Sequence, residues 1–569
     1  MNIGAVAGWT GALPGRLGPR GWWVFAVAWP LAIGLMMPLA DGFRLGGDEG
    51  HELLKAACWA RDGRLPVGSW NDQPLTHTRL YAALLGLDYS PLGPRLWSLF
   101  CFAVLLAAVG HAAQVTFRRP AAGLGAAWVV GVSPTTALLA ASAMQEVPAT
   151  AFGVLSFALV LARKGRVPWW QLMGAAAAGA VGVSIKLTAG LYVFCAGAVL
   201  AAGGLAPEGA GAGHARQADG RAGMGVLLWD FGRALIYLGL VAGLGGLLLT
   251  VVDGRPVERL VGSHLGAFAA ANAKVGPVGD GRWKYLAQEY PQMAVFVAAA
   301  GLLLARPVWL ARRRRLSGVT TEVPGSGKGP LEEPGWVRAE NGEAALQVPG
   351  WRWWFIAVAL PAGVTVANAW IVPWWTYYGL SIWVGFSGLA GFALAWAWDQ
   401  VRGAFAAGWR LFGGRSFSLW AALALALGGA QVGVESIGQV WLWRRAERTQ
   451  ASPLLAAMRE FARGKAAPSM YADEPMFAFW ARLPVPSPLV VVTQKRYLSG
   501  HLQEGDVPRI VRAADCDFLV LRRGGQELRE PDWNRLLDEH YVLVAVSDSF
   551  ELHVNRRLDP HPYESRMRW

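Results

Sequence analysis

Residues 21–55 read GWWVFAVAWPLAIGLMMPLADGFRLGGDEGHELLK: a stretch of 20 residues with no charge, then the acidic pair Asp48-Glu49. A bilayer core about 30 Å thick is crossed by about 20 apolar residues in a helix. The first part therefore reads as a membrane span, and the second as the aqueous edge to which that span delivers the chain. The apolar run is long for a signal peptide and shows no clear small-residue cleavage site, so a retained anchor is expected.

The whole chain agrees with that opening. Of 569 residues, 54% are hydrophobic and 16% charged, against roughly 45–50% and 25% in a soluble domain. That is more apolar surface than one soluble core buries. Ten further apolar stretches follow the first, at 96–116, 121–141, 147–162, 168–184, 187–204, 234–252, 292–310, 353–373, 377–397 and 416–434. The expected fold is thus an α-helical integral membrane protein of about eleven spans. The net charge of +13 sits in short basic clusters between apolar stretches, which points to membrane surfaces rather than to nucleic acid. Cys58, Cys101, Cys195 and Cys516 are far apart and form no CxxC pair, so neither a zinc knuckle nor a disulfide scaffold is indicated.

Charge also orients the spans, because short cytoplasmic loops carry excess Lys and Arg. With Arg16 and Arg20 inside, Arg118-Arg119, Arg163-Lys164-Arg166, Arg312–Arg315 and Arg402-Arg410-Arg415 also fall inside. Segment 41–94, the turns at Glu146 and Lys186, segment 253–291 and the turn at Trp374–Thr376 fall outside. Two inside loops, 205–224 and 316–350, read as flexible linkers. The membrane part, 1–438, is followed by a tail, 440–569, also placed outside. The tail alternates like strands at Pro488–Val492, Phe518–Leu521, Tyr541–Val546 and Phe550–Val554, and shows helical spacing at 452–463 and 530–540. It reads as a small extracytoplasmic α/β domain.

The outer segment 41–94 concentrates the chemistry. Leu53, Leu54, Ala57 and Ala60 predict a short amphipathic helix on the membrane surface with Asp48 and Glu49 at its start, where a carboxylate also serves as a simple cap. Trp70–Tyr81 contains Asp72-Gln73-Pro74, His77 and Arg79, and Pro74 suits a first helical turn with Leu75, Leu80, Leu84 and Leu85 turned to the bilayer. Arg95 stands at the mouth of the second span, where an arginine also snorkels to headgroups. Glu146 lies in Gln145-Glu146-Val-Pro148, Lys186 in Ile-Lys186-Leu-Thr-Ala-Gly190, and Tyr377-Tyr378 in Pro373-Trp-Trp-Thr-Tyr-Tyr. A lone lysine there is otherwise a span-end anchor, and interfacial tyrosines are otherwise belt residues.

In this order the motifs resemble those of the GT-C polyprenyl-phosphate-dependent glycosyltransferases, in particular the protein O-mannosyltransferase and lipid A aminoarabinose transferase branch. The acidic pair, the proline-leucine step and the Arg-Leu-x-Ser start of the second span are similar. Gln73-Pro74 stands where the family has Pro-Pro, Glu146 where it usually has Asp, and the tail shows no MIR-like repeats. The resemblance covers about 40–400. It implies a GT-C fold, a polyprenyl-phosphate-linked sugar as donor, and transfer to a hydroxyl of a protein, lipid or glycan at the outer face of a bacterial inner membrane. It further implies Asp48 as general base, Glu49 supporting the acceptor site or a divalent cation, Lys186 and Arg95 holding the donor phosphate, and Glu146 positioning acceptor or cation. His77, Arg79, Tyr377 and Tyr378 are second-rank candidates. No Walker-type loop for a nucleotide is present.

The rival class is a transporter or flippase. Such proteins place charges near the midplane between repeated halves, whereas the charges here cluster at one face.

Overall fold

The structure, a computed structural model, describes residues 21–40, 47–71, 73–161, 167–202, 220–253, 376–406, 416–444, 452–465, 467–524, 531–547 and 549–558, with isolated positions between 266 and 366. The basic N-terminus, the inside clusters at Arg163–Arg166 and Arg312–Arg315, Arg410 and Arg415, most of segment 253–291 and the Pro373–Trp375 turn lie outside the described residues. So do most of the two expected linkers, although a two-residue antiparallel pair, 337–338 with 344–345, falls within the second.

The membrane part is built from α1 (Gly21–Met36), α4 (Leu92–Phe117), α5 (Pro120–Gly131), α6 (Pro134–Ala140), α7 (Glu146–Val160), α8 (Trp169–Ile185), α9 (Gly190–Ala202), α10 (Gly220–Leu248), α11 (Gly379–Ala406) and α12 (Ser416–Arg444). Between α1 and α4 stand α2 (Gly47–Asp62) and α3 (Thr76–Leu87). Leu92–Phe117, Leu228–Val252 and Gly379–Arg402 are long and apolar enough to cross a membrane, and the chain is a multi-pass membrane protein. Shorter apolar helices occur at Trp22–Met36, Glu146–Val160 and Leu187–Ala202.

The expected span 121–141 is made of two helices, α5 and α6, bent by 74° at their junction. The cause is local. Ser133 accepts a hydrogen bond from the Thr136 nitrogen and Pro134 begins α6, so Ser133-Pro134 ends one helix and caps the next. The expected boundary near 438 is also crossed, since α12 runs on to Arg444.

Glycines bring these helices close. A Cβ on Gly391 of α11 would collide with the Ala122 carbonyl oxygen of α5 and stand 2.6 Å from the Ala126 nitrogen. A Cβ on Gly123 would lie 2.6 Å from the Gly110 oxygen on α4. Lipid tails provide no hydrophobic drive between helices, so close small-residue packing supplies the attraction.

The tail contains α13 (Pro453–Ala462), β1 (Met470–Ala472), α14 (Pro475–Ala481), α15 (Gln494–Leu498), α16 (Asp506–Ala513), β2 (Phe518–Arg522), α17 (Pro531–His540), β3 (Tyr541–Val546) and β4 (Phe550–Asn555). The sheet order is β1-β2-β4-β3, with β1 parallel to β2 and the other pairs antiparallel. The expected strand at Pro488–Val492 is a 3-10 turn, Ser487–Leu489, running into a loop. Pro486 and Pro488 have no N–H to give a ladder.

The tail does not form its core alone. Leu53, Leu54 and Ala56 of α2 and Tyr81, Ala82 and Leu85 of α3 share one buried cluster with Leu454, Met476, Phe477, Phe518 and Leu552. This corrects the expectation that α2 and α3 rest their apolar sides on the bilayer: those sides pack against protein. Pro74 also precedes the first turn of α3 rather than lying in it, because Leu75 is the cap residue.

Candidate active site

The site lies where several helices begin or end. Asp48 and Glu49 occupy the first turn of α2, Glu146 opens α7, Lys186 closes α8, and Tyr377 and Tyr378 form the 3-10 turn Thr376–Tyr378 before α11. Contacts among these side chains bring the termini together. Arg118 and Arg119 follow the far end of α4 from Arg95, and Arg119 pairs with Asp399 at 2.8 Å.

Neighbouring residues Asp48 and Glu49 have opposite fates. Glu49 is wholly buried and receives the Arg95 guanidinium in a two-pronged contact, Nε to Oε1 at 2.8 Å and Nη2 to Oε2 at 2.9 Å. Its Oε1 also accepts from the Ala143 nitrogen at 2.7 Å, while Arg95 Nη1 donates to the Leu39 carbonyl at 2.9 Å. Arg95, expected from the family resemblance to hold the donor phosphate, is thus engaged by Glu49 and the Leu39 carbonyl. In a buried setting the carboxylate 46 positions away satisfies it. Glu49 and Arg95 join the end of α1, the start of α2, the start of α4 and the loop before α7.

Asp48, by contrast, is half-buried. Burial and then the negative charge of Glu146 push its carboxyl up to about 6, while Lys186 and a hydrogen bond from Tyr377 act in the opposite sense. Lys186 leaves α8 with an extended backbone and donates from Nζ to Glu146 Oε1, both side chains being buried. Its ammonium stands 5.3 Å from the Tyr377 ring centre and 5.7 Å from that of Tyr378, within range of cation–π attraction. Burial opposes the charge on Lys186, but Glu146 outweighs it and holds the pKa above the ordinary lysine value.

A further layer was missed by sequence reading. Lys55 Nζ donates to Glu52 at 2.7 Å and to Asn71 Oδ1 at 3.4 Å. Glu52 is one helical turn from Asp48, so the i, i+4 spacing on α2 was the signal available. His77 is fully buried with its ring centre 3.9 Å from that of Tyr81, and burial pushes its imidazole down to about 3. Arg79 is exposed and lies over Trp59 at 4.6 Å. Asp72 is outside the described residues. Among the described residues no three His, Cys, Asp or Glu side chains converge to hold a metal ion.

The arrangement places one half-buried carboxylate beside a caged ammonium ion. Such a pair can accept a proton at the carboxylate and hold an anion at the ammonium.

No protein-family model and no curated protein matches the chain. Solved structures do resemble it. The structure of ArnT from Cupriavidus metallidurans bound to undecaprenyl phosphate is 15% identical with a TM-score of 0.48, over 94% of this chain and 98% of that one. The oligosaccharyltransferase of Archaeoglobus fulgidus in its apo form is 13% identical with a TM-score of 0.49, over 89% of this chain and 70% of that one. Arabinosyltransferase EmbB from Mycobacterium smegmatis is 12% identical with a TM-score of 0.39, over 74% of this chain and 40% of that one. These likenesses extend over most of the chain, at identities too low to carry an assignment of residues or substrate.

Proposed function

We propose that this protein is an inverting membrane glycosyltransferase that moves a sugar from a polyprenyl-phosphate carrier to an acceptor hydroxyl at the extracytoplasmic face of a bacterial inner membrane. One observation supports this above all. Asp48, Glu146, Lys186 and the Tyr377-Tyr378 pair come from four separate parts of the sequence and act on one another directly.

Asp48 is the general base. It takes the acceptor proton as the acceptor oxygen bonds to the anomeric carbon, while the bond from that carbon to the phosphate oxygen breaks with its electron pair. The phosphate leaves as a stable anion and needs no strong acid. Lys186 is the cation that stabilises it, and the Tyr377 and Tyr378 rings help hold the ammonium by cation–π attraction. Glu49 and Arg95 position Asp48 through the start of α2 without touching the reactants.

Purified protein incubated with undecaprenyl-phosphate-linked sugars and an acceptor extract is expected to yield glycosylated product and free undecaprenyl phosphate. Mass spectrometry of lipid-linked sugars in a deletion strain is expected to show one carrier accumulating, which identifies the donor. Counterflow of substrate in proteoliposomes with no glycosyl product would instead establish a transporter.

A further inference from the structure

The ammonium group assigned to the donor phosphate already has a carboxylate partner. Lys186 donates to Glu146, and both side chains are buried. The other acids around the start of α2 are likewise matched, Glu49 by Arg95 and Glu52 by Lys55. Asp48 makes no ion pair among the described residues, so these seven groups sum to one negative charge.

An anion brought beside Lys186 therefore meets Glu146 at the same nitrogen. Two anions on one buried ammonium ion repel each other more strongly than in water, because the local dielectric is low. The carboxylate must move aside for a phosphate to be held at full strength. The 3-10 turn Leu187–Ala189, directly after Lys186, and the position of Glu146 as the first residue of α7 leave both side chains at helix ends, where a change of partner does not require a helix to unwind.

We propose that Glu146 is a displaceable counter-ion for the donor site: it holds Lys186 in place and is exchanged for the donor phosphate when the lipid binds. Binding thus swaps one ion pair for another, and Glu146 is set free beside Asp48. In this role Glu146 is a positioning residue that sets donor affinity. The proposal rests on the reading of Lys186 as the phosphate holder, and it adds that wild-type affinity is held below what Lys186 alone would give.

The test is binding of undecaprenyl phosphate without a sugar to the full-length protein in detergent, by titration with tryptophan fluorescence. Wild-type protein is expected to bind, and Lys186→Met to lose binding. Glu146→Gln removes the competing charge and is expected to bind about tenfold more tightly, a change of about 1.4 kcal/mol, while sugar transfer slows. Glu146→Asp, which keeps the charge on a shorter arm, is expected to fall between them and serves if the glutamine variant does not fold. Binding by wild type with equal or weaker binding by both Glu146 variants would overturn the exchange. No binding by wild type, or full binding by Lys186→Met, would overturn the assignment of Lys186 itself.

Discussion

Glu49 and Arg95 meet through two parallel hydrogen bonds of 2.8 and 2.9 Å while both are wholly buried, one residue away from the proposed base. Removing one partner of such a pair leaves an uncompensated charge, which typically costs about 3–5 kcal/mol. Arg95→Met is expected to destabilise by about that amount, and Glu49→Gln likewise. The double variant is expected to lose less than the sum, because each substitution removes the charge stranded by the other. Thermal unfolding in one detergent, combined as a double-mutant cycle, checks this. A loss of donor affinity without loss of stability in Arg95→Met would return Arg95 to the phosphate site.

Asp48 has its carboxyl pushed up to about 6 by burial and by Glu146. A base must be ionised, so kcat/KM is expected to rise with pH through about 6 and then level off. Glu146→Gln removes a charge that raises this pKa, so the acid limb is expected to move to lower pH. Asp48→Asn is expected to lower the rate by about 10²–10⁴-fold, the usual contribution of a positioned base, with normal insertion. A pH–rate profile flat between 5 and 8, or an active Asp48→Asn, would remove Asp48 from this role.

These residues show where the sequence was legible. Asp48, Glu146 and Lys186 were singled out by the family resemblance of their motifs, which long apolar stretches made it possible to place in order along the chain, and the three side chains act on one another. The pairing of Arg95 with Glu49 was not readable, because the two are 46 positions apart and no local pattern reports a contact across two helices. Ser133-Pro134 was visible as a helix stop, but the apolar count over 121–141 hid it. Strands β2, β3 and β4 were readable from alternation. The run at Pro488–Val492 had the right composition, yet its prolines exclude ladder hydrogen bonds. The apolar faces of α2 and α3 were correctly seen, but a hydrophobic stripe does not say whether lipid or protein covers it.

His51 of α2 couples the tail to the site. Its Nδ1 is 3.1 Å from the Val490 carbonyl oxygen and its Nε2 is 3.0 Å from that of Val492. Burial pushes the imidazole down to about 4 from its ordinary 6.5. Between those values the unfolded chain binds a proton that the folded one does not, so stability falls as pH drops from 6.5 towards 4. His51→Gln is expected to flatten that fall. His51→Ala is expected to cost about 1–3 kcal/mol, since carbonyl groups lose a buried donor. Melting temperatures at pH 5 and pH 7 for the three proteins test this, and an unchanged pH slope in His51→Gln would rule out the histidine as its source.

Gly391 and Gly246 give a paired test of helix packing. A side chain at Gly391 of α11 meets the backbone of α5 at Ala122 and Ala126, whereas one at Gly246 of α10 meets nothing within 4 Å. Backbone cannot step aside as the end of a flexible side chain can, so Gly391→Ala must shift α5 or α11 where they meet at Ala122 and Ala126. Overpacking of this sort costs about 1–3 kcal/mol, and Gly391→Leu is expected to prevent stable insertion. At Gly246 the balance reverses: alanine restricts the unfolded chain and favours helix by up to about 1 kcal/mol, so Gly246→Ala is expected to hold or raise the melting temperature. Measured in the same detergent, equal effects at the two positions would mean that α5 and α11 do not approach as closely as the structure has them.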